Sequence, residues 1–210
     1  MVLERAALFV VFGVSGFAAL LYQVVWQRSL YAIFGINTES VTVVVTAFML
    51  GLGLGSLLGG RVSEDPRRPV LLVFSLVELG IGLFGLISLS LFRAAGEALL
   101  HASATTTAFA TFLLVLAPTL LMGATLPLLV AHIVRETGSV GRSVGMLYFV
   151  NTLGSALASL AGVMLVLPNV GQARSVHVAV ALNFLASAAV FGLWIRSRPS
   201  KPALNPEESA

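Results

Sequence analysis

Six apolar stretches run along this chain, separated by short polar or charged connections, at about 6–26, 41–60, 70–92, 107–134, 144–167 and 176–195. A helix needs roughly 20 apolar residues to cross the hydrocarbon of a bilayer, and each stretch meets that length. The pattern therefore predicts an all-α, polytopic membrane protein with six transmembrane helices. The first stretch exceeds the apolar core of a signal peptide and has no small-x-small cleavage site at its end, so it reads as an uncleaved span. One membrane domain, 1–195, is expected. The residues 196–210, rich in Pro, Ser and Glu, have nothing apolar to bury and read as a disordered cytoplasmic tail or a linker.

Composition agrees with the pattern. Of 210 residues, 58% are hydrophobic and 10% charged, and the mean hydropathy is +0.99, whereas soluble domains carry about a quarter charged residues. The absence of Cys excludes disulfides, thiolate nucleophiles and thiolate metal sites. The three His residues, His101, His132 and His177, lie far apart, no Ser/His/Asp set is visible, and no catalytic residue, metal or cofactor is expected. A net charge of +3 does not imply nucleic acid, because the cations are spread through the connections. Nine of them, Arg5, Arg61, Arg67, Arg68, Arg135, Arg142, Arg196, Arg198 and Lys201, fall on one side of a six-span topology, against Arg28, Arg93 and Arg174 on the other. By the positive-inside rule both termini are cytoplasmic.

The second stretch carries Gly51, Gly55 and Gly59 four residues apart, and the fifth carries Gly154, Ala158 and Gly162 at the same spacing. Each set makes a small-residue stripe that lets helix backbones approach closely in lipid. Gly16 and Gly123 are similarly placed in the first and fourth stretches, and Glu78 in the third faces Asn183 in the sixth. Together these suggest a 3+3 inverted repeat, with halves at about 1–92 and 107–195, as in secondary transporters. The run Gly51-Leu-Gly-Leu-Gly-Ser56 is not a nucleotide fingerprint: its spacing is wrong and no strand precedes it.

Polar groups inside the spans are the candidates for function. Glu78 is the only acidic residue well inside one, and it shares helical spacing with Ser75, Gly82 and Gly85, so its carboxyl should point toward protein. It would bind a cation or a proton, or hydrogen-bond another helix. At the end of the first span, Tyr22, Gln23 and Trp26 would either line a cavity, with aromatic faces suited to an ammonium ligand, or form an interfacial belt with Arg28 reaching to headgroups. Pro118 and Pro127 bracket Thr119, Met122, Gly123 and Thr125, and each Pro leaves a carbonyl without its helical partner, which suggests a kink beside a cavity. Tyr148, Asn151 and Ser155 form a polar stripe that could face the same space.

Several strings together resemble the six-span membrane region of fused major-facilitator/spermidine-synthase-like proteins of bacteria. They are Ser15-Gly-Phe-Ala-Ala-Leu-Leu-Tyr-Gln-Val-Val-Trp-Gln-Arg28, the glycine-rich stretch 47–61, Val77-Glu-Leu-Gly-Ile-Gly82, Pro118-Thr-Leu-Leu-Met-Gly-Ala-Thr-Leu-Pro127 and the stretch 141–155. The connection 60–68 is similar to a degenerate form of the major-facilitator signature between spans two and three. Fused members continue into a soluble aminopropyltransferase-like domain that these 210 residues do not contain, so no enzyme activity is implied here. Where such proteins often carry an acidic residue, this chain has Gln23. In major facilitators the first helix of each repeat lines the cavity and the third is peripheral, which gives Gln23 and Trp26 more weight than Glu78.

The resemblance implies a bacterial inner-membrane protein, a half-size carrier for a polyamine or other small organic cation. Its substrate-binding residues would be Tyr22, Gln23, Trp26, Glu78, Thr119, Met122, Thr125, Tyr148 and Asn151. Such a bundle would work as a homodimer or beside a second six-helix bundle. The alternative is a membrane anchor or scaffold for a separately encoded soluble synthase.

Overall fold

In a computed structural model, residues 2–34 and 38–197 are described, and all their regular structure is helical. The elements are α1 (Val2–Phe34), α2 (Thr38–Glu64), α3 (Val70–Ala98), α4 (Ala104–Thr137), α5 (Val140–Leu157), a π-helical segment (Ala158–Val166) and α6 (Leu167–Ser197). Most of the expected tail lies outside the described residues.

Five helical runs among the described residues are long and apolar enough to cross a membrane: Leu3–Ala32, Val41–Glu64, Val70–Ala98, Ala104–Thr137 and Val140–Ser197. The stretches expected at 144–167 and 176–195 thus fall in one 58-residue run. In place of the polar connection foreseen between them, the helical pattern continues through the π-helical segment and past Pro168. The pattern is interrupted by one residue, Gly171, with φ 77° and ψ 174°. Only glycine adopts that conformation readily, having no Cβ to clash.

The helix ends have ordinary causes. The Ser103 hydroxyl accepts the Thr106 amide at 3.2 Å and caps α4. At the other end Gly138, with φ 70°, closes α4 by donating its N–H to the Val134 carbonyl at 2.8 Å. Pro118 and Pro127 lie inside α4 without ending it.

Helix α1 packs on α3, α5 and α6; α2 packs on α4; α3 packs on α4 and α6. Small residues set the two tightest interfaces. A Cβ at Gly55 would lie 2.1 Å from the Leu120 carbonyl oxygen, and one at Gly123 would lie 2.3 Å from that of Leu52. Between α1 and α5, a Cβ at Gly154 would lie 1.9 Å from the Gly13 carbonyl oxygen, and one at Gly16 would lie 2.4 Å from that of Asn151. Gly162 approaches Leu21 further along, so α5 and its π-helical continuation run parallel to α1. Helix α6 runs the other way: Gln172 meets Ser29 near one end of α1, and Val190 joins Leu8 and Phe12 near the other.

Two apolar clusters fill the interior. One surrounds Trp26 with Tyr22, Phe48, Ile81 and Phe92; the other surrounds Phe74 with Leu8, Phe12, Leu128 and Val190. The outward faces carry exposed Leu, Ile, Val, Met and Phe on every helix. Hydrocarbon is the solvent that tolerates such a surface.

Candidate functional site

Between the two apolar clusters lies a polar layer. Each contributing helix passes from one cluster to the other at this level: α1 at Ser15, α3 at Glu78 and α6 at Asn183. Glu78 is fully buried. Ser15 Oγ donates to its Oε1 at 2.5 Å, and Asn183 Nδ2 donates to its Oε2 at 2.6 Å. Ser75, Glu78, Gly82 and Gly85 are all buried, as their shared spacing predicts. One turn away, Ser75 and Ser187 exchange reciprocal bonds: Ser75 Oγ donates to the Ser187 carbonyl at 2.9 Å, and Ser187 Oγ donates to the Ser75 carbonyl at 2.8 Å.

Beside this layer opens a cavity of about 300 Å³. Residues of α1, α2, α4 and α5 form most of its wall. Among the sequence-nominated residues, Gln23, Met122, Thr125, Tyr148 and Asn151 line it. Ser15, Ser56, Ser155 and Asn183 join them. Asn151 Nδ2 donates to the Phe12 carbonyl at 3.2 Å, and Ser155 Oγ donates to the Gly16 carbonyl at 3.1 Å, so both brace α5 against α1. Thr125 turns its hydroxyl back to the Met122 carbonyl at 2.7 Å. Gln23 is half-buried and makes no hydrogen bond among the described residues. Tyr148 stands at the lip, 64% exposed. Gly123 is also in the wall, and Pro127 supplies no N–H for its carbonyl.

Tyr22, Trp26, Thr119 and Glu78 are not in this wall. Tyr22 and Trp26 stack on each other with centroids 4.8 Å apart, and Phe84 and Phe92 meet the Trp26 ring edge to face. The indole N–H donates to Ser88 Oγ at 3.0 Å. Both rings are fully buried, so Trp26 lies in neither an interfacial belt nor the cavity lining. Thr119 packs beneath Gly51 and returns its hydroxyl to the Val115 and Leu116 carbonyls of its own helix, each at 2.9 Å. Glu78 stands directly behind the wall, reached from it through Ser15 and Asn183.

The sequence sets Asn183 opposite Glu78 and gives no role to Ser15 or Ser56. Ser15 carried one usable signal: a hydroxyl inside an apolar span next to Gly16, where another helix must approach closely.

The cationic connections meet at one end of the bundle. Arg5 Nε pairs with Glu136 Oε2 at 3.0 Å, and His132 Nε2 lies 3.3 Å from Glu136 Oε1. Arg135 donates to the carbonyls of Ser63 at 2.7 Å, Asp65 at 3.1 Å and Arg68 at 3.4 Å, tying α4 to the connection between α2 and α3. No group of His, Cys, Asp and Glu among the described residues could hold a metal ion. Comparison with protein-family models, curated proteins and solved structures finds no match for this chain, and its function must be argued from the cavity and the layer behind it.

Proposed function

We propose that this chain is a six-span, half-size membrane carrier whose cavity binds a polyamine or other small organic cation. The six-span reading has two supports. Helix α5 runs with α1 and α6 against it, so the chain turns back at Gly171. A straight run of 58 residues would extend about 87 Å, far beyond the hydrocarbon thickness.

The 3+3 repeat draws on the packing. Exchanging α1, α2 and α3 for α4, α5 and α6 turns the α2/α4 interface into α5/α1, turns α3/α4 into α6/α1, and leaves α3/α6 in place. The close approaches follow the same exchange. Gly13 stands to Gly154 as Leu120 stands to Gly55, and Gly16 stands to Asn151 as Gly123 stands to Leu52. Both interfaces therefore step three residues forward in one helix and three back in the other. This register pairs Gly55 with Gly154, one turn from an end-to-end match of the two stripes. The reciprocal Ser75/Ser187 contact lies where the pseudo-two-fold axis would pass.

The observation that carries the carrier reading is the amide of Gln23, which makes no hydrogen bond among the described residues and stands in the wall of a largely apolar cavity. Such groups in membrane spans mark ligand pathways. Asn151 commits its Nδ2 to α1 and keeps its carbonyl oxygen as an acceptor. Gln23 adds a second acceptor, and the Glu78 carboxyl stands one hydrogen bond behind the wall. Acceptors backed by a carboxyl suit an ammonium group. A second copy of the chain, or a second six-helix bundle, would enclose the pathway with this one. The gathering of Arg5, Arg135 and the α2–α3 connection at one end supports a bacterial inner-membrane orientation with both termini cytoplasmic.

Uptake of radiolabelled polyamines by proteoliposomes tests the proposal. Uptake that falls at least about tenfold in Gln23→Ala and Asn151→Ala is the expected result. Uptake that is absent from the unaltered chain, or that stays at its level in both variants, overturns it. Co-purification of a stoichiometric soluble enzyme would instead establish the scaffold reading that the resemblance also allows.

A further inference from the structure

In the layer around Glu78 the Asn183 carbonyl oxygen Oδ1 is buried without a partner among the described residues, as is the Tyr22 hydroxyl in the neighbouring apolar cluster. Leaving such atoms unpaired in a low-dielectric interior is costly, so their presence calls for a reason. For Asn183 the geometry supplies one. The amide presents Nδ2 to Glu78 Oε2, the arrangement an ionised carboxylate requires, because it can only accept. Turning the amide over would bring Oδ1 to the same place, where it could accept only from an O–H. With a proton on Glu78 Oε2 the turned amide would pair Oδ1 and leave Nδ2 at the place Oδ1 now holds, so either protonation state leaves one side of the amide free to answer a second group.

We infer that Glu78, Ser15 and Asn183 form a proton-binding site communicating with the cavity, with the Asn183 amide turning as the proton arrives and departs. The balance is simple. A hydronium in the cavity gives its proton to Oε2 and remains as water; Nδ2 withdraws, and the new O–H donates to Oδ1. Ser15 goes on donating to Oε1, which becomes the carbonyl of the neutral acid. Ser15 and Asn183 both belong to the cavity wall, while the carboxyl they hold does not, so the proton reaches Glu78 only between them.

Among the described residues no fixed counter-charge pairs with Glu78. From α1 the ionisable neighbour is Tyr22, which interacts electrostatically with Glu78. The other ionisable groups of the packed helices lie toward their ends: Glu4, Arg5, Arg28 and Tyr31 on α1; Arg93 and Glu97 on α3; His132, Arg135 and Glu136 on α4; Arg174, His177 and Arg196 on α6. His177 is the nearest of these along the chain to any member of the layer, six residues from Asn183 or about 9 Å of helix rise, and it is exposed. On the carrier reading, on which this one consequence rests, an entering ammonium would displace the proton, making the carrier an amine/proton exchanger.

Infrared difference spectra of the full chain in lipid nanodiscs, recorded between alkaline and acidic buffer, test the site without any transport. A protonated-carboxyl C=O band is expected at acidic pH, lost in Glu78→Gln and shifted to lower wavenumber in D₂O. Removing the hydrogen bond to Oε1 in Ser15→Ala should move the band to higher wavenumber, and Ser15→Thr should restore it. A band absent at every pH, unchanged in Glu78→Gln, or indifferent to both D₂O and Ser15→Ala overturns the proton site. The D₂O arm uses the unaltered chain and stands even where a variant does not fold. Uptake lost with the band intact removes the carrier reading and leaves the site; the reverse removes the site alone.

Discussion

The α1/α5 and α2/α4 interfaces are built alike and equipped differently. Both bring backbones together at small residues, with Gly154 against Gly13 in one and Gly55 against Leu120 in the other. At the first, Asn151 and Ser155 also send hydrogen bonds across to the carbonyls of α1, and both side chains lie in the cavity wall. At the second, Thr119 satisfies its hydroxyl mainly within its own helix. The close approach is thus a packing device common to both, and both contribute to the cavity wall, but the shorter polar crossings belong to α1/α5: α2/α4 has only the 3.4 Å bond from Thr119 Oγ1 to the Ala47 carbonyl. In lipid, where apolar contact alone drives little association, these hydrogen bonds add to the hold of α5 on α1 while leaving the Asn151 carbonyl oxygen in the cavity wall.

Substitutions can break the likeness or sharpen the difference. The largest effect is expected from Gly154→Val and Gly55→Val, because each added side chain would meet a carbonyl at about 2 Å. Overpacking of this kind destabilises by about 1–3 kcal/mol, and the two variants should fall together in reversible unfolding measured in bicelles. Gly60→Val, where nothing lies within 4 Å, should leave stability unchanged. A loss at Gly55 without one at Gly154 would refute the common architecture. Next comes Gly171→Ala, which forces a side chain into a conformation that costs about 1–3 kcal/mol. It should lower the melting temperature and loosen α6 from α1, seen as faster hydrogen exchange near Gln172.

Smaller effects discriminate the two interfaces. Asn151→Ala and Ser155→Ala should each cost about 0.6 kcal/mol, the usual worth of an interhelical hydrogen bond in a membrane. They should also change amine binding, read by uptake inhibition. Thr119→Val keeps the shape of the side chain under Gly51 and removes only one long bond between helices, from Thr119 Oγ1 to the Ala47 carbonyl at 3.4 Å. It should change stability by less than about 0.5 kcal/mol and leave binding unaltered. Equal effects of Thr119→Val and Asn151→Ala on binding would erase the distinction between the interfaces.

Tyr22, Gln23 and Trp26 show how far a linear reading goes. They lie within five positions, and their side chains suggest one aromatic and amide site. Successive helical residues turn by about 100°, so Trp26 falls about 40° from Tyr22 and about 60° from Gln23, while Tyr22 and Gln23 stand about 100° apart. In the fold, the two rings enter the apolar cluster and Gln23 alone of the three enters the cavity wall. Glu78 was legible differently. Its spacing with Ser75, Gly82 and Gly85 already required an inward carboxyl, although no local pattern could name Ser15 as its partner across 63 positions.

The order of apolar stretches by itself determined that this chain is a helical protein suited to a bilayer, because hydrocarbon permits only backbones that satisfy their own hydrogen bonds. Sequence also fixed which residues let helices approach, since small side chains are a local property. Only the tertiary structure decided which polar groups share a space. That depends on the rotation and crossing of each helix against its neighbours, which here are set by contacts such as Gly13 with Gly154, far apart in the chain. For the same reason the link from Ser15 through Glu78 to Asn183, which spans three helices, exists only once they are packed.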